Sequence, residues 1–516
     1  MNIKYAFPLL LISFLFVACS QPSVPSPTET AAEAITPTSA PTVAPTMAPT
    51  AVIEPTPTAD SLPNGGASTL LQNGEGQGSA WRGIGRLFGS SSCTASFIAT
   101  STNETATAYA LTNGHCIEWQ ANGVVVLPEF GGELIFNYFV DTQAAQINVP
   151  ISSIPYSTMQ GADLAIIELD ATIGELTAQG VQPLALADAP LADDREVYVI
   201  GIPTSGLPTE EAFLRLESCR LTGRANLIEF QWHFNDTYRT SCQDIFGGSS
   251  GSPLFSAEDD VITAVINTTV EGMSPCYLGV PCEITPDGAM PNPGSSYAIP
   301  VHGLASCFDE AGEFSLTNEC PLPPVEQLAF DSLSPLGQPP LTWATTLTGT
   351  LPFYRYKTGA AGVVDCRSAE GYSPTITLAD SPLIDDAIPD EEGFYLLCVQ
   401  AGESAAVGDS WQSLDYPTVT IAQIDITPPQ LEPQIAVQET PYFIDVSLIF
   451  QPPELSDYLF KIGPAEMTDC AVEEDYFRYR RIPLTIERDD GPIRLCVIGF
   501  DNANNATPPL DTVFDE

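Results

Sequence analysis

Gly247-Gly248-Ser249-Ser250-Gly251-Ser252-Pro253 sets a serine inside a glycine frame and leads directly into Leu254-Phe255. Glycine at 248 permits a sharp turn, so that the N–H groups of Gly248 and Ser250 can converge on one oxyanion. A flexible Gly/Ser loop is the alternative reading, and Ser249 and Ser252 compete with Ser250 for a nucleophilic role. Moving toward the N-terminus, Gly161-Ala162-Asp163 opens the apolar run Leu164-Ala165-Ile166-Ile167, with Asp163 lying 87 residues before Ser250. Leu111-Thr112-Asn113-Gly114-His115-Cys116 comes earlier, with His115 48 residues before Asp163. A hydroxyl attacks a carbonyl effectively when an imidazole takes its proton, a carboxylate fixes that imidazole's tautomer and backbone donors receive the oxyanion. These three strings contain every part. Asp141, Glu168 and Asp170 compete with Asp163, which is otherwise a turn residue beside a strand. His233 and His302 lack such settings and read as structural.

The order His, Asp, Ser at these intervals resembles the trypsin/chymotrypsin-like serine proteases. The resemblance implies a double β-barrel closed by a short terminal helix, with residues 301–310 as the helix candidate. It further implies an endopeptidase acting on protein or peptide substrates through an acyl-enzyme, with no metal or organic cofactor. His115 would be the base, Asp163 its orienter, Ser250 the nucleophile, and Gly248 and Ser250 the oxyanion donors. A disulfide from Cys116 to Cys93 would pin the turn carrying His115. Asn113 and Gly114 stand where two alanines are usual. Ser249 stands where trypsin-type zymogens carry the aspartate that pairs with a freed N-terminus, and no Ile-Val-Gly-Gly start is present. The region from Trp81 to Arg86 reads as the first barrel strand instead, so activity should need no new terminus, as in the bacterial glutamyl-endopeptidase-like branch. A surface binding or adhesion protein with an inactive protease-like domain is the competing reading.

Specificity rests on less. Asp244 lies six residues before Ser250, the interval at which tryptic enzymes place the carboxylate that pairs with substrate Lys or Arg. A buried carboxylate there favours a cation. Phe246 takes the place of the tryptic loop's cysteine, and a solvated turn residue is the alternative for Asp244. Thr268 is expected on the strand lining the substrate pocket, replacing a glycine and narrowing it.

Acidic residues outnumber basic ones 65 to 17 in the 516-residue chain, a formal charge of −48 that repels nucleic acid and anionic lipid. The hydrophobic content of 44% argues against a wholly disordered acidic chain. Residues 1–19 pair Lys4 with a short apolar run ending Leu15-Phe16-Val17-Ala18-Cys19, the pattern of a bacterial lipoprotein signal. Lipidation of Cys19 and an extracytoplasmic, membrane-anchored location follow as expectations; an ordinary secretory signal is the alternative. Apart from Cys19, twelve of the thirteen cysteines remain, an even number that suits disulfides in an exported chain. Sequence neighbours pair sensibly: Cys93 with Cys116, Cys219 with Cys242, Cys276 with Cys282, Cys307 with Cys320, Cys366 with Cys398, and Cys470 with Cys496. No CxxC pair occurs, and a zinc site is correspondingly disfavoured.

Residues 20–68 are dominated by Pro, Thr, Ala and Ser, which suits an extended stalk rather than a core. Residues 69–322 hold short β-branched and aromatic runs separated by turn residues, including 124–127, 134–140, 197–202, 227–234 and 261–269, which predicts an all-β barrel or sandwich. Residues 323–426 and 427–516 contain an internal repeat. Tyr354-Arg355-Tyr356-Lys357 with Asp365-Cys366 and Cys398 corresponds to Tyr458-Leu459-Phe460-Lys461 with Asp469-Cys470 and Cys496, at cysteine offsets of 104 and 98. Each copy predicts a small β-sandwich, similar to immunoglobulin or fibronectin modules, with one disulfide. The pair serves either a cell-surface ligand or a passive spacing role.

Overall fold

In the computed structural model, residues 67–515 are described apart from 120–122, 273, 317–319, 324–327, 332–334, 409 and 489–490. The signal-like segment with Cys19 and nearly all of the Pro/Thr-rich stretch lie outside the described residues. Strands β1 (Ile84–Phe88), β2 (Ser92–Ile98), β3 (Thr107–Thr112), β4 (Glu133–Phe136), β5 (Ile147–Thr158) and β6 (Leu164–Thr172) pair in the order β5-β4-β1-β2-β3-β6, and β6 returns to β5 to close a barrel. A second closed barrel follows. Its strands are β7 (Glu196–Gly201), β8 (Arg215–Glu229), β9 (Trp232–Thr240), β10 (Pro253–Ser256), β11 (Ile262–Thr269) and β12 (Ser296–Pro300). They pair in the order β9-β12-β11-β10-β7-β8, and β8 returns to β9. Closure leaves neither barrel a free edge.

Alternation along β3 and β6 explains why both read as continuous apolar runs. Ala108 and Ala110 fill the first barrel while Tyr109 and Leu111 face the second; on β6, Ala165, Ile167 and Leu169 point inward while Leu164 and Ile166 point across. Both faces are buried over Ala108–Thr112 and Leu164–Ile167, so no exposed polar position interrupts these runs. The small alanines suit the narrow barrel interior, and the larger residues fill the space between barrels.

Several local expectations change. Ser79–Trp81 is a 3-10 turn, and the first barrel strand begins only at Ile84. The 227–234 run is a hairpin rather than one strand, because Phe230 takes a left-handed φ of 56° and donates its N–H to the Cys276 carbonyl at 2.7 Å. The expected helix over residues 301–310 shrinks to one 3-10 turn, Leu304–Cys307. Gly303 at φ 82° sets its start, and the chain then doubles back so that Phe308 bridges Phe314.

Further β-sheet units follow the barrels. In one, Phe353–Ala360, Gly393–Gly402 and Thr418–Ile424 belong to a five-stranded sheet, and Trp343, Leu347, Tyr354, Leu397 and Val399 share a core with the smaller sheets beside it. In the next, a three-stranded and a four-stranded sheet enclose Val446, Tyr458, Leu495 and Val497. The repeat extends to a shared device. Lys357 Nζ donates to the carbonyls of Ser368 and Glu370 under the ring of Tyr372, whose hydroxyl donates to the Cys366 carbonyl. Lys461 Nζ donates likewise to Asp469 and Val472 under Tyr476, whose hydroxyl donates to the Cys470 carbonyl. In each copy an ammonium replaces water as the partner of carbonyls in an otherwise open loop.

The first of these units shares its apolar surface with the second barrel. Ile228, the Cys276–Cys282 disulfide, Ala361, the Cys366–Cys398 disulfide, Leu396 and Ile421 form one buried cluster. Gly362 lies so close to the barrel side that a Cβ there would fall 2.1 Å from the Thr285 carbonyl oxygen. Backbone cannot retreat as a flexible side chain can. Gly362→Ala should therefore push the two bodies apart and cost about 1–3 kcal/mol. The expected outcome is a lower denaturation midpoint by equilibrium unfolding; an unchanged midpoint would show that this seam carries no stability.

Candidate active site

Three strand ends meet at the cleft. Strand β3 stops at Thr112, two residues before Gly114 and three before His115; β6 starts immediately after Asp163; and β10 starts three residues after Ser250. Because β3 and β6 pair antiparallel with Thr112 opposite Ala165, the end of one is delivered to the start of the other. His115 Nδ1 lies 2.6 Å from Asp163 Oδ2, and the His115 backbone N–H donates to Oδ1 at 2.9 Å. Asp163 is fully buried, whereas the His115 side chain keeps 26% exposure on the cleft side. The carboxylate thus grips both the ring and the main chain of His115, fixing its orientation and leaving the second ring nitrogen without a hydrogen-bond partner among the described residues.

The residues that depart from the family pattern serve this geometry. Asn113 Nδ2 donates to the Asp163 carbonyl at 2.8 Å. A Cβ on Gly114 would meet the Thr158 carbonyl oxygen at 2.1 Å, so glycine allows β5 to press against the turn. The Cys93–Cys116 disulfide anchors the residue after His115 to β2 and commits both sulfurs, the atoms that with His115 would otherwise make a metal-ligand cluster. Five further disulfides join Cys219–Cys242, Cys276–Cys282, Cys307–Cys320, Cys366–Cys398 and Cys470–Cys496.

Ser250 lines the same cleft of about 410 Å³ as His115 and Asp163. Among the described residues no hydrogen bond joins the Ser250 hydroxyl to the imidazole, a contact that commonly tightens only when substrate is bound. Within the loop, Ser249 N–H goes to the Phe246 carbonyl, Gly251 N–H to Ile266 and Ser252 N–H to Ser249. The N–H groups of Gly248 and Ser250 have no protein acceptor among the described residues, which leaves the two expected donors available for an oxyanion. Gly248 sits at φ 98°, with a would-be Cβ 2.6 Å from Thr204 Oγ1 and 2.7 Å from the Ile202 carbonyl oxygen. No other residue fits there.

The competing residues lie elsewhere. Ser249 is buried and its hydroxyl accepts the Phe246 N–H at 3.3 Å; Ser252 is wholly buried. Asp141 caps the Asn73 and Gly74 N–H groups, and Glu168 accepts from Ser152 and Ser153. The structure does not bring Asp244 to the cleft: its Oδ2 accepts the Ser68 N–H at 2.6 Å, and Arg215 holds Ser68 in place. The expectation that Asp244 meets a substrate cation is corrected accordingly, because an N-terminal backbone donor has taken its carboxylate. Thr268 does line the cleft, and its hydroxyl donates to Glu229 at 3.0 Å. Glu229 itself was not singled out from the sequence, although a carboxylate closing the run Leu227-Ile228 is an anomaly that could have marked it.

Burial would depress the His115 pKa, but the Asp163 charge, its hydrogen bond and the Glu229 charge together raise it above 6.5. Glu229 is pushed up to about 7, chiefly by burial.

Residues 93–263 match the family model described as the trypsin-like peptidase domain. This segment is similar to trypsin-like peptidase domains. Among solved structures, a thermostable serine protease AL20 from an extremophilic microorganism is 16% identical, covering 44% of this chain and 95% of that one at a TM-score of 0.30. Protease Anisep from Arthrobacter nicotinovorans is 15% identical over 42% of this chain and 90% of its own, at a TM-score of 0.30. Human heparin binding protein is 14% identical over 46% and 93%, at a TM-score of 0.32. No curated protein matches the chain.

Two outcomes test the geometry. A general base must be neutral, so the rise of kcat/KM with pH should have its midpoint above the 6.5 of an unperturbed imidazole. Asp163→Asn should lower that midpoint and reduce kcat by roughly 10⁴-fold, measured as a pH–rate profile on a peptide substrate. Gly248→Ala should displace the loop and reduce kcat about 10²–10³-fold with less change in KM, measured by steady-state kinetics.

Proposed function

We propose that the trypsin-like peptidase domain is a working serine endopeptidase. The observation carrying this reading is the doubly held His115–Asp163 pair facing a cleft shared with Ser250, whose loop leaves two backbone donors unused. Ser250 Oγ attacks the carbonyl carbon while His115 Nε2 takes the hydroxyl proton and Asp163 stabilises the imidazolium. The Gly248 and Ser250 N–H groups receive the oxyanion. Collapse of the tetrahedral adduct breaks the C–N bond, and the imidazolium gives its proton to the departing amine. Water, deprotonated by the same imidazole, then releases the acid and regenerates the serine.

The loop before Ser250 is fastened without a freed N-terminus. Glu217 accepts the Gln243 and Asp244 N–H groups, and Ser68, a residue within the chain, holds Asp244. Activity of the uncleaved domain is part of the proposal. So is an extracytoplasmic location, with lipid on Cys19 as the membrane attachment, supported by the signal-like residues 1–19 and by six disulfides suited to an oxidising compartment. The C-terminal units, read as immunoglobulin- or fibronectin-like, hold the domain's flank or offer a surface for a cell-surface ligand.

The test is covalent labelling of the protein lacking residues 1–19 by a fluorophosphonate. Labelling is expected on Ser250, to disappear in Ser250→Ala, and to persist in Ser249→Ala. An unlabelled protein would favour a recognition role for an inactive domain.

A further inference from the structure

Glu229, at the end of β8, is a buried carboxylate of the cleft that the hydrolytic steps do not use. Its Oε1 accepts two hydrogen bonds, from Thr268 Oγ1 at 3.0 Å and from the Gly279 N–H at 2.8 Å. Its Oε2 has no hydrogen-bond donor, and no Lys or Arg pairs with it among the described residues. A buried carboxylate with no Lys or Arg beside it is costly, and a cation entering the cleft would reduce that cost. The walls suit such a guest. Trp119 and Trp232 meet edge to face with ring centroids 6.4 Å apart, offering aromatic surface for an aliphatic stem and its cationic head. Glu271 adds an exposed carboxylate to the same lining. With Asp244 held by Ser68, the cleft's cation-binding group has to be sought here.

Resting on the endopeptidase reading, we infer that this part of the cleft is a subsite for a Lys or Arg side chain of the substrate, its head group meeting Glu229 Oε2 and its stem lying along Trp119 and Trp232. The charged groups facing this subsite are His115, Asp163, Glu229 and Glu271. Burial, opposed by the bonds from Gly279 and Thr268 and by the His115 charge, brings Glu229 to about 7. The carboxyl is neutral below that pH and attracts a cation above it, so the preference should strengthen as pH rises. Ionisation of His115 affects all substrates alike and cancels in a ratio.

The experiment compares kcat/KM for peptides that differ only by Arg or citrulline, scanned through the positions flanking the scissile bond. At one position Arg should be favoured about 10–100-fold, the range for a hydrogen bond gained by a charged group. That ratio should fall toward one in Glu229→Gln, which keeps the acceptor for Thr268 and Gly279. In the unmodified protein it should rise between about pH 6 and about pH 8. A ratio near one at every position, or a folded Glu229→Gln that keeps the preference, overturns the subsite. If Glu229→Gln does not fold, the pH series decides: a flat ratio overturns it. Fluorophosphonate labelling of the unmodified protein is read alongside. Labelled Ser250 without an Arg preference removes the subsite alone, whereas no labelling removes the endopeptidase reading beneath it.

Discussion

His115 and Ser250 come from different barrels, and one buried residue ties them together. Thr94, on β2, is fully buried and donates its N–H to the Ser250 carbonyl at 2.8 Å. Its hydroxyl donates to the Gly248 carbonyl at 2.9 Å while accepting the Ile202 N–H at 3.0 Å, and its own carbonyl accepts the Thr112 hydroxyl at 2.8 Å. Every polar atom is satisfied in a low-dielectric setting, where each bond is strengthened and any orphan is costly. Thr112 ends the strand that delivers His115, so this one residue links that strand to Gly248 and Ser250. The loop is pressed so tightly onto Thr94 that a Cβ on Gly251 would lie 2.0 Å from its carbonyl oxygen. Gly251, the residue after Ser250, is the covalent trace of that contact.

Much of the site was legible because its signals are local. A histidine after a strand, an aspartate before one and a serine in a glycine turn are each confined to a few residues. What failed to read depends on partners far along the chain. Asp244 has the spacing of a specificity residue, but a backbone N–H from 176 residues away occupies its carboxylate. Residues 227–234 look like one strand until the Cys276 carbonyl catches Phe230 and turns the chain. The apolar faces of Leu396 and Ile421 signal burial without naming the barrel that buries them. Local chemistry is written in order; the destination of a side chain is not.

The seam between the second barrel and the β-sheet unit beside it places the C-terminal half close to the chemistry. Thr418 accepts a hydrogen bond from Gln160 at 3.0 Å, three residues before Asp163 in sequence, and the Asn235 N–H from β9 donates to the Gly161 carbonyl at 2.8 Å. The loop that presents Asp163 is thus held from outside as well as from within. Residues in close contact of this kind couple energetically rather than adding independently, so a change in the unit's face toward Gln160 reaches the orienting acid through two contacts.

The lysines tucked into carbonyl loops have a consequence for the chain as a target. Lys4, Lys357 and Lys461 are the only lysines among 516 residues, and the latter two are each 8% exposed, with their ammonium groups committed to main-chain oxygens. Several arginines, among them Arg195, Arg220, Arg239 and Arg494, are engaged with carboxylates. On the subsite reading proposed above, a neighbouring copy offers the cleft no exposed lysine among the described residues. On that reading, digestion of one copy by another is restrained by how few such side chains the chain carries, 17 Lys and Arg in 516 residues.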